Sequence, residues 1–153
     1  MSQNPFDFKI ADSDQIRIVF AGYSISRGAG ASGYMDGEYL KITMEKKSFI
    51  YVEGTDGSLV RSKTQSRVGT ATISLLQTSS SNDFLSSMLL TDESVANGAG
   101  VGTFVVEDLQ GTTKFKALKA WVDGWPEQTF DRTAKERAWT ICFQRSNILV
   151  GSN

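Results

Sequence analysis

The chain has 153 residues, of which 40% are hydrophobic and 22% charged, enough for one folded domain and too apolar for wholesale disorder. Sixteen basic residues against seventeen acidic ones leave a net charge of −1, which argues against a nucleic-acid binder working through a general basic surface. Histidine is absent and cysteine occurs once, at Cys142, so the commonest general base is missing and no intrachain disulfide can form.

The first segment, "MSQNPFDFKIADSDQ", is polar and acidic without a signal-peptide core, and no apolar run approaches the roughly 20 residues of a membrane-spanning helix. Synthesis in the cytosol is the expectation. "QIRIVF" sets Ile16, Ile18 and Phe20 against Gln15, Arg17 and Val19, the period of a half-buried strand. "EYLKITME" alternates in the same way, with Leu40, Ile42 and Met44 on one face. "GTATISLLQ" (69–77) and "GTFVVEDL" (102–109) are β-branched runs bounded by turn residues. "TKFKALKAWV" places Phe115, Ala117 and Trp121 on one parity with Lys114 and Lys116 on the other, and "QGT" before it reads as a hairpin loop. "RAWTICFQ" puts Trp139, Ile141 and Phe143 together.

One stretch departs from period two. In "TSSSNDFLSSMLLTDESV", Phe84, Leu85, Met88 and Leu89 recur at helical spacing behind a cap at Ser80 or Ser81, with Asp83 in the first turn. The chain therefore reads as mainly β: a single-domain β-barrel or sandwich spanning 1–153, with an N-terminal arm at 1–14 and one short α-helix at about 80–90.

Candidate sites divide by context. "GAGASGYMDGEY" spells Gly28-x-Gly30-x-x-Gly33, but a dinucleotide loop must open a helix, and the residues after Gly37 alternate at period two. It reads as a connection between strands. Asp12 and Asp14 in "ADSD" lack the oxygen-rich spacing of a calcium loop and read as a surface turn. Cys142 sits on the parity opposite Trp139, Ile141 and Phe143, with no histidine to activate it, and reads as structural. Lys114, Lys116 and Lys119 read as a solvated face. Trp121, Trp125 and Trp139 raise the alternative of a non-catalytic carbohydrate-binding β-sandwich, if their faces are exposed. No catalytic, cofactor or metal site is expected.

The most unusual feature joins two confident strands through more than twenty residues, "MEKKSFIYVEGTDGSLVRSKTQSRVGT". Within it "FIYVE" and "SLVRS" flank Asp56-Gly57, a strong hairpin signal. The expectation is a projecting β-hairpin arm over about 46–68, bearing Phe49, Ile50, Tyr51, Val52, Leu59, Val60 and Arg61. An isolated hairpin is marginal in water, so these side chains need a partner surface, either the arm's own domain or another subunit. Docking on another subunit is preferred.

The order of motifs resembles the tail tube protein family of contractile-tailed bacteriophages. The likeness runs from about residue 32 to 150, through "SGYMDGEYLKITMEKK", "DGSLVRSK", "ISLLQTSSSNDFLSSM", "FVVEDLQGTT" and the step Arg137-Ala138-Trp139. The stretch "SISRGAGA" departs from the pattern as extra loop. The resemblance implies a virion protein without enzymatic activity that forms homo-hexameric rings. The rings stack into a tube inside the contractile sheath and conduct DNA without binding it tightly. It also implies contacts with sheath, baseplate and tape-measure proteins and assembly in the host cytoplasm; in such an assembly the arm residues Phe49 to Val52, Asp56, Gly57 and Leu59 to Arg61 are the ones expected to join subunits or rings. A tube subunit of a phage-tail-like bacteriocin is the alternative within the same fold.

Overall fold

A computed structural model of the protein describes residues 16–25, 40–77, 79–108, 111–133 and 135–151. The glycine-rich stretch 28–39, the "ADSD" turn and the 1–14 segment lie outside the described residues. The elements in chain order are β1 (Ile16–Phe20), β2 (Tyr23–Ser24), β3 (Leu40–Met44), β4 (Phe49–Glu53) and β5 (Leu59–Lys63). They continue with β6 (Gly69–Leu76), α1 (Ser81–Ser94), β7 (Gly102–Asp108), β8 (Lys114–Val122) and β9 (Glu136–Leu149).

Among the described residues seven strands form one antiparallel sheet in the order β2-β1-β7-β8-β9-β6-β3, and β4 and β5 form a separate two-stranded sheet. The expectation of a mainly β fold with one short helix is met. Among the described residues the pairings run from β2 at one edge to β3 at the other and do not close into a barrel.

Alternation carries the packing. In β6 the residues Ala71, Ile73 and Leu75 are buried, in β7 Phe104 and Val106, and in β9 Trp139, Ile141 and Phe143. They make one core with Leu85 and Leu89 of the helix, and Phe84 and Met88 pack against its margin. A file of edge-on aromatic contacts crosses it, from Phe84 to Phe20 (6.1 Å), Phe104 (6.3 Å), Phe115 (5.9 Å) and Phe143 (4.8 Å). Such pairs add about 0.5–1.5 kcal/mol each beyond the area they bury.

Three local features depart from the sequence expectation. The helix runs to Ser94 rather than about 90, and its last turn is tied by Thr91 and Ser94 hydroxyls donating to the Ser87 and Leu90 carbonyls. At its start the N-cap is Ser80, one of the two expected positions, but its side chain makes no cap hydrogen bond, and Ser79 Oγ instead accepts the Ser81 N–H at 3.3 Å. Trp121 does not share a face with Phe115 and Ala117. The buried set in β8 is Phe115 and Ala117, then Ala120 and Val122, with Leu118 and Lys119 both exposed.

The cause is a slip of the pleat. β8 carries one residue more than β7 between the pairs Phe104 with Ala117 and Gly102 with Ala120, a β-bulge. The facing strand slips at the same level: Arg145 takes φ +54°, and the buried parity of β9 moves from Phe143 to Ser146. Because both strands slip together, the β8–β9 register stays continuous from Lys114–Leu149 to Val122–Ile141. A short hairpin forms one edge: Ala21 and Gly22 both adopt positive φ (50° and 85°) between Phe20 and Tyr23, the backbone of a type I′ turn.

Candidate functional site

The long connection between β3 and β6 is where the chain leaves the sheet. Its lower part is fixed to the body. Glu45 N–H donates to the Val68 carbonyl at 3.0 Å, Thr64 N–H to the Ser48 carbonyl at 2.8 Å, and the Ser146 hydroxyl of β9 to the Arg67 carbonyl at 3.1 Å. Lys46, Lys47, Lys63 and Arg67 line a cleft at this root together with Glu45.

Above the root, β4 and β5 pair in the register Phe49–Lys63, Tyr51–Arg61 and Glu53–Leu59. The tip is a three-residue loop. Gly57 N–H donates to the Gly54 carbonyl at 3.0 Å, Gly54 N–H to the Ser58 carbonyl at 2.7 Å, and Gly57 takes φ +85°, a backbone that glycine adopts without steric cost. Asp56 locks it: its Oδ1 accepts from the Ser58 hydroxyl at 2.6 Å and the Ser58 N–H at 3.1 Å. Those bonds hold the Asp56 carboxyl below its ordinary range, the hydroxyl having the larger effect.

The structure brings the nine residues singled out in the sequence onto this one element. Phe49, Tyr51 and Arg61 share a face, where the Arg61 guanidinium lies 4.4 Å from the Phe49 ring centroid. Ile50, Val52 and Val60 form the opposite, uncharged face. Every residue of β4 and β5 is exposed, Tyr51 by 70%, and no buried core residue comes from 45–68. Folding back on its own domain, the other arrangement open to the arm, is not what the described residues show.

The remaining candidates resolve into packing. Trp139 is buried and donates from Nε1 to Asn82 Oδ1 at 2.9 Å, while Asn82 Nδ2 donates to the Leu76 carbonyl, tying helix to sheet. Trp125 lies 6.1 Å from Trp139 and donates to Glu93, and Trp121 is half-buried on another face, so the three tryptophans build no shared platform. Lys114, Lys116 and Lys119 are exposed. The Cys142 thiol is pushed up to about 11, first by burial and then by Asp123, which makes it a poor nucleophile. No group of three or more metal-ligating side chains occurs among the described residues, and no described helix is long and apolar enough to cross a membrane. Periodicity alone did not expose Arg137, which is buried on β9 beneath Phe130; the loop that brings Phe130 there has no repeating pattern.

Comparison with known proteins bears on the whole chain. The family model described as bacteriophage PhiTE tail tube protein matches residues 13–151. Structural protein ORF10 of Pseudomonas phage KPP10 is 22% identical over 140 residues, covering 92% of this chain and 81% of that protein. Two solved structures share the fold, each with a TM-score of 0.56. The anti-feeding prophage tube terminating cap is 11% identical, covering 97% of this chain and 99% of that one. The PVC sheath/tube terminator of an extracellular contractile injection system is 12% identical, covering 95% and 99%. With a β fold, a projecting exposed arm and a family match over nearly its full length, the chain belongs to the bacteriophage PhiTE tail tube protein family and is a structural subunit of a tail tube.

Proposed function

We propose that this subunit closes into six-membered rings that stack into the inner tube of a contractile phage tail and conduct DNA into the host. The observation that carries the assembly reading is the β4–β5 arm, whose large apolar side chains are all exposed in the single subunit. An aliphatic face of Ile50, Val52 and Val60, backed by an opposite face that carries Phe49 and Tyr51, has the makings of a contact surface between subunits. The chain is one domain, 1–153, and the arm, with Asp56-Gly57 at its tip, joins adjacent subunits or rings.

The outermost strands of the sheet among the described residues, β2 and β3, supply a second contact. Unpaired strand edges must be covered or paired, and ring closure pairs them by continuing the sheet from one subunit into the next. Barrel closure then belongs to the ring rather than to the subunit. Tail sheath, baseplate and tape-measure proteins are the partners of such a tube, which forms in the host cytoplasm and resides in the virion. The near-neutral charge suits a conduit. Duplex DNA carries one negative charge per about 1.7 Å of axis, so basic lining would act at many points along a tube.

Light scattering on the purified protein is expected to show hexamers or longer assemblies at micromolar concentration, with no duplex DNA retained at physiological salt. A strictly monomeric mass across that range contradicts assembly, and tight duplex binding contradicts the conduit.

A further inference from the structure

The pocket beside Trp139 holds a buried charge with little compensation. Arg137 stands on β9 with its side chain only 6% exposed, on the same buried parity as Trp139. A guanidinium offers five N–H donors, and burying one without a counter-charge is costly. Here Nη1 donates to the Glu136 carbonyl at 3.1 Å, and the group lies 5.2 Å from the Phe130 ring centroid. Among the described residues Arg137 forms no ion pair; its neighbour Lys135 takes Asp131 instead, at 3.7 Å.

The cavity in front of Arg137 measures about 240 Å³ and is walled by Trp125, Trp139, Phe130, Gln77 and Gln128. Small-molecule sites run to about 300–1,000 Å³, so this one is scaled to a side chain or two. Trp125 and Phe130 are 46% and 75% exposed at its rim. A buried arginine ringed by exposed aromatics has the composition of an interface hot spot, and its planar fork matches a carboxylate.

The chain itself carries a segment of matching charge. The arm tip, "EGTDGS" from Glu53 to Ser58, has two carboxylates and no cation, whereas Lys46, Lys47, Arg61, Lys63 and Arg67 all lie below it. Both tip carboxylates are exposed. We infer that the Arg137 pocket receives the arm-tip carboxylates, Glu53 and Asp56, of a second copy of this chain. The inference rests on the reading that the arm joins subunits, and it names where the tip goes.

The test uses the full-length chain with the double substitution Glu53→Gln and Asp56→Asn. Both positions are exposed and outside the core, an amide oxygen at position 56 can still accept from Ser58, and the apolar faces of the arm are retained, so folding is preserved. Losing one partner of a buried charge pair should raise the critical concentration for tube formation about tenfold or more. In a Cys142→Ser background, Glu53→Cys with Gln128→Cys should give covalent ladders of subunits when assembled tubes are oxidised. Assembly of the Gln/Asn variant at the wild-type concentration overturns the inference, as does the absence of ladders from tubes that form. If replacing the whole arm blocks tubes while these two results are negative, the arm reading stands and the pocket assignment alone falls. If the arm can be replaced without effect, both fall.

Discussion

Replacing residues 49–60 with a short Gly-Ser turn is expected to leave a folded subunit that no longer makes long tubes. The first half of that result follows from where the core lies. Its hydrophobic residues come from β1, β6 to β9 and α1, with Ile25, and none comes from the arm. Circular dichroism and the unfolding midpoint should therefore stay close to wild type. The second half follows from what the arm exposes. Phe49, Ile50, Tyr51, Val52, Leu59 and Val60 are each well exposed in the subunit. Full burial of such a side chain is worth about 1.5–3 kcal/mol, and fixing the arm costs on the order of 1 kcal/mol per residue not already held. If half of that burial is realised at a contact, losing about 5 kcal/mol lowers the association constant by more than about a thousandfold. Electron microscopy of the purified variant decides the matter. Tubes of normal length would show that the arm is not the coupling element.

Trp139→Ala is expected to be the most damaging single substitution in the body. Its indole is 2% exposed, packs against Trp125, and donates to Asn82, which in turn holds the end of β6 to the start of α1. Removing it leaves a cavity and strips Asn82 Oδ1 of its donor. Buried tryptophan truncations cost about 3–5 kcal/mol, and at this chain length each kcal/mol moves the midpoint by about 2–4 °C. A fall of about 6–20 °C by calorimetry is expected. Trp125→Ala serves as the control, because that ring is 46% exposed and its loss should cost about 1 kcal/mol. Equal losses at both positions would contradict the burial argument.

Most of the sheet was legible because a half-buried strand writes its face into the sequence at period two. Ile18 and Phe20, then Trp139, Ile141 and Phe143 are buried on the parity that the pattern assigns them, and the β-branched run 69–77 forms β6. The rule failed where the backbone breaks the period. Leu118 and Lys119 are both exposed and Arg145 adopts positive φ, so Trp121 leaves the face that simple alternation gives it. β2 has two residues, too few to show any period, and β9 continues through "RSNIL", which carries no alternation of its own. The arm was legible because a hairpin signal sat inside an overlong connection, and its exposure is visible only in three dimensions. The Arg137 pocket was not legible at all. It arises where Phe130 and Trp125, from a loop without periodic pattern, meet a strand residue whose charge gives no hint of burial.

The central claim is that tubes are built from rings of this chain held together by its arms. A cryo-electron microscopy reconstruction of tubes grown from the purified protein tests it most directly. The account predicts six subunits per ring, with the Ile50, Val52 and Val60 face of every arm buried on a neighbouring subunit. Tubes in which the arms project into solvent, or a protein that forms no tube, would contradict it.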